Sequence, residues 1–401
     1  MTRERAQATT SRDATESVRD AVVAWRRRLH QQPELSFHEK ETSQFVADTL
    51  ASFGNLEISR PTPTSVVARL VGTGDGPVLG LRADMDALPI HELNDHAFVS
   101  RTAGVMHACG HDGHTAMLLG AAKLLVGRRD ELGGEVRFIF QHAEELPPGG
   151  AAELVRAGVV DGVDLVIGAH LWLPLPVGEV AVRSGPLMAS SDVFHIHIDG
   201  AGGHAGMPHQ TVDAISIAAQ VVTNLQQIVA RNVDPLSSAV VSVTRIAGGT
   251  TMNVLPESVE IDGTVRAFDA ALRARIPSLM ERVVAGVTAA HGARYRWRYA
   301  RGYDPVVNEA KATELVRRAV VRALGDEAKL IDATPTMGAE DFSAYQQRVP
   351  AAFFFIGARN EERGIIHPHH HERFDLDERA LDFGTRIFVA AATELLGTRI
   401  Q

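Results

Sequence analysis

One short stretch of the chain concentrates side chains of the types that bind metals. Residues 106–114 read Met-His-Ala-Cys-Gly-His-Asp-Gly-His and contain the only cysteine of the 401 residues. Thiolates and imidazoles are the ligand types that zinc and similar divalent metals take. Because Cys109 and His111 are two positions apart, they cannot share one face of a helix, and we expect them to converge from a glycine-containing loop. The alternative is a buried, inert thiol beside surface histidines.

Three later stretches favour a metal site over an inert thiol. Glu144 and Glu145 are adjacent, His170 follows the apolar run 164–169, and four histidines lie within residues 367–371. Adjacent carboxylates repel each other, and a dication relieves this by binding one of them and leaving the other to act as a base. Taken singly, these stretches are equally typical of a solvated acidic pair, a core histidine and a polar loop. We therefore expect one or two ligands at most from the histidine tract.

The elements that must position these side chains alternate between strand and helix. This alternation predicts an α/β fold with a mixed, mostly parallel sheet and helices on both faces. Ligands of such sheets bind beyond the carboxyl ends of the strands, and Asp84, Asp86, Glu144, Glu145 and His170 fall at or just after predicted strand ends. The predicted strands are 65–71, 77–82, 135–141, 164–169 and 352–357, and the predicted helices are 14–31, 39–52, 114–126, 151–157, 308–325 and 377–396.

The middle of the chain has a different pattern. Apolar residues at 194, 196 and 198 alternate with His195, His197 and Asp199, as on a half-exposed antiparallel strand whose histidines are solvated. A helix at 212–230, strands at 239–246, 258–268 and 294–300, and a helix at 270–291 complete a β-α-β-β-α-β order, which is typical of a small sheet with both helices on one face. We predict an inserted α+β, ferredoxin-like domain at 190–302, a discontinuous catalytic domain at 14–189 and 303–401, and a disordered tail at 1–13.

Composition excludes several classes of protein. The net charge of −9 and the pI near 6.1 argue against nucleic acid as a main partner. A single cysteine rules out an internal disulfide and fits a reducing compartment. The N-terminal residues lack an apolar signal segment, and no apolar run is long enough to span a membrane. We expect a cytoplasmic protein without a membrane partner.

Several motifs, in one order, resemble a known family. The chain is similar to the M20 metallopeptidase superfamily, and within it to the amidohydrolase branch of hippurate hydrolases, N-acyl-amino-acid amidohydrolases and auxin-conjugate hydrolases. The match covers nearly all of the chain after the tail. The stretches that carry it are 25–36, 81–90, 106–114, 143–145, 202–205, 253–256, 263–266 and 337–342.

The resemblance implies a dinuclear metal site. Its ligands would be Cys109, His111, Glu145, His170 and one histidine of the C-terminal tract. Phe374 and Asp377 set the register that places this last ligand at His370, with His369 and His371 as alternatives; Glu372 stands where the family usually has proline. Zn²⁺ or Mn²⁺ are the expected ions, and Co²⁺ or Ni²⁺ also suit the donor set.

Further roles follow from the resemblance. Glu144 takes the place of the general base, and Asp86 that of the aspartate that orients a ligand. His204 would reach from the inserted domain into a partner subunit's site and polarise the scissile carbonyl, in a homodimer formed through that domain. A histidine acting within its own chain is the rival. Asn253 and Arg266 are candidates for substrate contacts, although each could equally make a structural bond.

These roles predict hydrolysis of the amide bond between an acyl or aryl-acyl group and an amino acid. Glu144 would take a proton from a water activated by the metals and deliver it to the leaving amine. The alternatives are a narrow deacetylase of an N-acetylated intermediate, a small-peptide hydrolase, and a metal-binding protein that has lost catalysis. The last of these predicts the loss of Glu144, which is present.

Overall fold

The structure is a computed structural model that describes residues 18–397. The chain folds into two compact units. The first unit comprises the residues up to Leu187, Val307–Thr334 and those from Asp341 onwards, and the second comprises Met188–Val306 and Pro335–Glu340. Each unit has its own hydrophobic core. The predicted tail at 1–13 lies outside the described residues.

An eight-stranded sheet forms the centre of the first unit. Four of its seven pairings are parallel and three are antiparallel, which confirms the predicted mixed, mostly parallel sheet. The strands lie in the order β1-β2-β4-β3-β5-β16-β6-β15. Their bounds are β1 Glu57–Ser59, β2 Val66–Val71, β3 Val78–Asp84, β4 Glu135–Gln141, β5 Leu165–Pro176, β6 Glu179–Val182, β15 Lys329–Asp332 and β16 Ala351–Arg359.

Helices cover both faces of this sheet. Leu81 of β3 and Phe138 of β4 belong to the main core cluster, and the alternate residues Arg82 and Ile139 are buried as well. Since successive side chains of a strand point to opposite faces, neither face is open to solvent here. The helices are α1 at 18–31, α2 Lys40–Phe53, α3 His111–Val126, α4 Gly150–Arg156, α7 Ala310–Leu324, α8 Ser343–Gln346 and α9 Arg379–Leu396.

The second unit is built on a four-stranded antiparallel sheet in the order β10-β12-β8-β13. Ile196 and Ile198 of β8 are buried, whereas the alternating His195 and His197 are half-buried, so one face of the sheet packs against the helices. The predicted β-α-β-β-α-β order is observed. The bounds are β8 Asp192–Asp199, α5 Ala214–Gln227, β10 Ala239–Ala247, β12 Ser258–Ala267, α6 Ala270–Ala290 and β13 Arg294–Arg301, with a small pair of β9 Gly203–His204 and β11 Val254–Leu255.

Two boundaries next to the predicted site residues differ from the sequence-based prediction. Helix α3 begins at His111 rather than at residue 114, because Gly110 takes a left-handed conformation (φ 96°) that turns the chain into the helix. Strand β5 continues to Pro176, so His170 lies within a strand and not after one. The pairing of β5 with β3 nevertheless ends at Gly168, so His170 extends beyond the end of that neighbour. The short strands β1, β6, β7 (Gly185–Met188), β9, β11, β14 (Val306–Asn308) and β15 were not predicted.

Candidate metal centre

The five predicted ligands converge on two groups of donor atoms that share Cys109. The donor atoms of Cys109, His111 and His170 all lie within 4.8 Å of one another, and so do those of Cys109, Glu145 and His370. Cys109 Sγ is 3.4 Å from His170 Nε2, and His370 Nε2 is 3.2 Å from Glu145 Oε1. His111 Nε2 lies 3.9 Å from the same glutamate oxygen. One thiol, one carboxylate and three imidazoles therefore meet in one place.

These ligands come from four parts of the first unit. Cys109 precedes α3, and His111 is the first residue of that helix. Glu145 lies in the loop after β4, and His170 lies on β5, two strands away in the sheet. His370 lies in the loop before α9 with a left-handed backbone (φ 64°), where its N–H donates to the carbonyl of Ala108 at 2.7 Å.

Hydrogen bonds fix which ring nitrogen each buried histidine presents. His111 Nδ1 donates to the carbonyl of Asp86 at 2.9 Å and lies 3.2 Å from its carboxylate. His170 Nδ1 donates to the carbonyl of Leu171 at 2.8 Å. In both rings the Nε2 lone pair is left facing the centre, as in metal-binding histidines held by an outer carbonyl or carboxylate.

Asp86 connects two of the elements that carry ligands. It is buried, and its Oδ2 accepts hydrogen bonds from Ser36 Oγ at 2.7 Å and from the N–H of Glu145 at 3.0 Å. Burial alone would raise the pKa of Asp86, but its bonds with His111, Glu145 and Ser36 lower the pKa below the ordinary value. The residue therefore stays ionised and holds His111 and the Glu145 loop together.

Three other histidines of the two motifs, His114, His369 and His371, have hydrogen-bond partners outside the centre. His114 Nδ1 lies 2.6 Å from Asp84 Oδ1, and its Nε2 accepts from the N–H of Leu171 at 2.8 Å. His369 Nε2 donates to the carbonyl of the same leucine at 2.9 Å. His371 Nδ1 accepts from a backbone N–H, and its ring stacks on that of His367 with 4.5 Å between centroids. Of this tract, His370 is the residue whose Nε2 lies beside Glu145.

The electrostatics of the cluster fit a bound dication. Burial, then the charges of Glu145, Glu144 and Asp84, raise the pKa of the Cys109 thiol well above its usual value. Burial would lower the pKa of His111, but the surrounding carboxylates raise it to about 10. Among the described residues, the buried atoms His111 Nε2 and Glu145 Oε1 have no hydrogen-bond partner. A dication would stabilise the thiolate and accept the lone pairs of these atoms, so the donor set fits divalent ions.

Glu144 lies beside the ligands in the loop that follows β4. Its side chain is 7% exposed, and its negative charge is one of those that raise the pKa of the Cys109 thiol. The preceding Ala143 has a left-handed backbone (φ 49°), and its N–H donates to Glu39 Oε1 at 2.7 Å. Glu39, at the start of α2, supports this loop, and the sequence offered no signal for that contact across 104 residues.

A buried network behind the centre was also missed. Arg82 donates to Asp84 Oδ2 at 2.7 Å, to Gln141 Oε1 at 2.8 Å and to Asp341 Oδ1 at 2.9 Å. Asp84 in turn contacts His114, so the network connects the ends of β3 and β4 to the start of α3. The spacing of Arg82 and Asp84 on one face of a strand was the available signal.

The other three predicted site residues lie in the second unit. His204 is exposed, and because its Nδ1 accepts from the N–H of Gly206 at 3.0 Å, its proton is on Nε2. Asn253 is exposed, with Oδ1 3.1 Å from Thr251 Oγ1. Arg266 is half-buried and donates to Thr264 Oγ1 and to the carbonyl of Val265.

Comparison with known proteins identifies the family. Residues 80–394 match the model of peptidase family M20/M25/M40. An N-acyl-L-amino acid amidohydrolase of Geobacillus stearothermophilus is 61% identical over 73% of this chain and 79% of its own length. Thermostable carboxypeptidase 2 of Saccharolobus solfataricus is 41% identical over 92% of this chain and 93% of its own. The crystal structure of the Bacillus subtilis YXEP protein, described as a dinuclear metal binding peptidase from the M20 family, has a TM-score of 0.83 and 38% identity, covering 95% of this chain and 99% of that one.

The chain is thus a metal-dependent hydrolase that acts on amide bonds. It belongs to peptidase family M20/M25/M40. Within residues 18–397, no helix has the length and hydrophobicity of a membrane span. The predicted cytoplasmic location stays a prediction.

Proposed function

We propose that this protein hydrolyses the amide bond of N-acyl amino acids whose acyl group is acetyl or aryl-acyl. The observation that carries the proposal is the convergence of Cys109, His111, Glu145, His170 and His370. The buried Glu144 adjoins Glu145 in the chain, and its charge raises the pKa of Cys109. The 61% identity to an N-acyl-L-amino acid amidohydrolase supports this substrate class over other amides.

Two divalent ions, Zn²⁺ or Mn²⁺ with Co²⁺ and Ni²⁺ as further candidates, are held by those five side chains in this proposal. Such ions lower the pKa of a water towards neutrality and stabilise the negative charge that develops on the carbonyl oxygen. The thiol and the three imidazoles favour zinc. The dinuclear description of the YXEP protein supports two ions over one.

Glu144 acts as the general base. It takes a proton from the water whose oxygen attacks the carbonyl carbon, and it delivers that proton to the amide nitrogen as the carbon–nitrogen bond breaks. Glu145 Oε1 faces His370 and Asp86 is bonded to His111, and the resemblance to the family implies that the adjacent Glu144 is the base. Cys109 is a ligand and not a nucleophile, because burial and the surrounding carboxylates disfavour its free thiolate.

The second unit supplies the contacts to substrate. His204 carries its proton on Nε2 and can donate it to the oxygen that becomes negative in the transition state. Arg266 is half-buried, and none of the ion pairs found within residues 18–397 involves it. Burial lowers the pKa of Arg266, so a carboxylate partner would stabilise its charge, and the α-carboxylate of an N-acyl amino acid provides one. Asn253 is a second candidate for this group.

Substitution of the base tests the function. We expect Glu144→Gln to fold and retain its metal but to lose kcat by about 10²–10⁴-fold, because the amide cannot accept a proton. Glu372→Gln is the matched control, since Glu372 is an exposed carboxylate close to the histidine tract. Activity of Glu144→Gln within a few-fold of wild type, at equal metal content, would refute the role of the base.

Hydrolysis of small peptides is the second candidate, and the 41% identity to a carboxypeptidase favours it. A panel of N-acetyl, N-benzoyl and free-amine dipeptide substrates, assayed with added Zn²⁺ or Mn²⁺, separates the two. We expect the highest kcat/KM with an N-acyl amino acid. Turnover confined to one N-acetylated compound would identify a narrow deacetylase, and preference for dipeptides would favour the peptidase.

A further inference from the structure

A second group of metal-ligand side chains lies in the first unit, formed by His30, Glu92 and His96. His30 is the penultimate residue of α1, and Glu92 and His96 lie in the loop at 91–99. Glu92 Oε1 is 3.1 Å from His30 Nε2 and 3.3 Å from His96 Nε2. The donor atoms of the three residues all lie within 4.8 Å of one another.

We propose that His30, Glu92 and His96 bind an additional divalent transition-metal ion, with zinc the best match, outside the catalytic centre. Nitrogen and oxygen ligands bind zinc at about 2.0–2.2 Å, so neighbouring ligands of a tetrahedral ion are about 3.3 Å apart. The two distances to Glu92 Oε1 agree with that spacing. Two imidazoles and one carboxylate, with a fourth position for water, form a donor set that zinc commonly uses.

Outer hydrogen bonds hold two of these ligands in place. His30 Nδ1 lies 2.8 Å from Asp112 Oδ2, and when it donates there its Nε2 lone pair faces Glu92. Glu92 Oε2 accepts from the N–H of Ser100 at 2.6 Å, and its Oε1 accepts from Asn94 Nδ2 at 3.0 Å. A carboxylate behind a metal-binding histidine is the usual arrangement at zinc sites.

The charge of the surroundings also favours a dication. Arg26 is buried and donates to Asp112 at 2.9 Å, to Asp375 at 2.8 Å and to Glu378 at 3.2 Å. The charged groups of this network are the carboxylates of Glu92, Asp112, Asp375 and Glu378 and the guanidiniums of Arg26 and Arg27. Four negative and two positive charges leave an excess of two negative charges when both imidazoles are neutral. A divalent cation balances that excess.

The rival explanation is an ion pair in which a protonated His30 bridges Asp112 and Glu92. Burial would lower the pKa of His30, but these two carboxylates raise it above its ordinary value, which favours the charged ring that this ion pair needs. This explanation leaves His96 unexplained. Both of its ring nitrogens are buried and lack a hydrogen-bond partner among the described residues, and the ring stacks on Phe98 at 3.8 Å between centroids. The side chain of His96 is 19% exposed, so the three residues lie close to the surface of the protein.

The role of this ion is structural. It would join the end of α1 to the loop at 91–99 and, through His30, to Asp112 in the first turn of α3. That turn begins at His111, so the ion would stiffen the support of the catalytic centre without contacting substrate.

Zinc content tests the proposal without reference to activity. Wild type, His96→Ala and His91→Ala are loaded with zinc, passed through a desalting column and assayed by elemental analysis. His91 is an exposed histidine of the same loop and serves as the matched control. We expect wild type and His91→Ala to hold one more zinc ion per chain than His96→Ala. We also expect added zinc to raise the thermal midpoint of the first two proteins more than that of His96→Ala.

Equal zinc content in all three proteins would overturn the proposal and leave the ion pair as the explanation. Calorimetric titration of wild type with zinc, and of Glu92→Gln, gives the answer if His96→Ala does not fold. Equal numbers of zinc ions bound by wild type and Glu92→Gln at saturation would also overturn it, whereas one ion fewer in Glu92→Gln supports it. Failure of the proposed amidohydrolase activity would leave this count of ions unchanged, so the two proposals fail separately.

Discussion

At the scale of single residues, the candidate centre depends on which nitrogens of its histidines are already bonded. His111 and His170 each use one ring nitrogen for a carbonyl and keep the other for the centre. His114 uses both of its nitrogens, one for a carboxylate and one for a backbone N–H. A histidine with both ring nitrogens bonded has no lone pair for a metal. His114 therefore has a structural role, although it lies in the same motif as Cys109 and His111.

The histidine tract gives a prediction at this scale. We expect His370→Ala to bind less metal and to have a lower kcat/KM than wild type, because the Nε2 of His370 lies 3.2 Å from Glu145 Oε1 among the candidate ligands. His369→Ala is the matched comparison, and it should retain its metal because His369 donates to the carbonyl of Leu171. Elemental analysis of both variants is the measurement. If His370→Ala retains its metal and His369→Ala or His371→Ala loses it, the ligand is the neighbouring histidine and not His370.

At the scale of elements, the loop after β4 is held from the start of α2. Glu39 is fully buried, and its carboxylate accepts from the N–H of Ala143, whose left-handed backbone precedes the two glutamates of the centre. Burial raises the pKa of Glu39 to about 7, and the negative charge of Asp86 adds to this effect. A carboxylic acid with a raised pKa binds its proton more tightly in the folded state than in the unfolded state.

This contact predicts how stability depends on pH. The free energy of unfolding should fall as the pH rises from the unfolded value of 4.5 to about 7, by an amount of about 3 kcal/mol at most. Glu39→Gln keeps an oxygen for Ala143 and cannot ionise, so its stability should change less between pH 5 and pH 8 than that of wild type. Urea unfolding at both pH values measures this. Glu41→Gln, at an exposed position of α2, is the control, and an equal pH dependence in both variants would contradict the prediction.

The packing of α3 against α9 gives a second prediction at this scale. A Cβ added at Gly384 would overlap Met117 Sδ and lie 3.1 Å from Ile356 Cδ1, both in fully buried side chains. We expect Gly384→Ala to lower the free energy of unfolding by about 1–3 kcal/mol, because a close-packed core has no room for the added methyl group. Gly286→Ala is the control. It lies on an exposed face of α6, and no atom lies within 4 Å of its new Cβ, so we expect a gain of about 0.5–1 kcal/mol. Equal changes in the free energy of unfolding for the two variants would show that helix propensity, and not packing, determines the effect of Gly384→Ala.

At the scale of the whole molecule, we propose a homodimer formed through the second unit. Strands β10 and β13 stand at the two ends of the four-stranded sheet, so an edge is available for pairing across a twofold axis. His204 lies in this unit, whereas all five candidate metal ligands lie in the first. In the proposal, His204 completes the site of the neighbouring subunit.

Mixing two inactive variants tests that arrangement. His204→Ala and Glu144→Gln are combined under conditions that exchange subunits. If His204 acts across the dimer, each mixed dimer has one site with both residues intact, and activity returns towards half of wild type per dimer. If it acts within its own chain, every site still lacks one residue and activity stays at background. A fully active monomer in sedimentation would contradict the dimer itself.

The sequence by itself determined the features that depend on local chemistry. The ligand types around Cys109, the adjacent glutamates, and the periods that separate strands from helices are all properties of neighbouring residues. They predicted the mostly parallel sheet and the β-α-β-β-α-β order of the second unit, both of which the structure has.

Only the tertiary structure decided which residues meet. His369 and Leu171 are 198 positions apart, and Glu39 and Ala143 are 104 apart, so no local pattern could indicate that they contact each other. The continuation of β5 through His170 likewise depends on pairing with β16, a strand that lies far from β5 in the sequence. Local patterns specify what each residue is able to bind, whereas long-range packing determines which of its atoms are left free to do so.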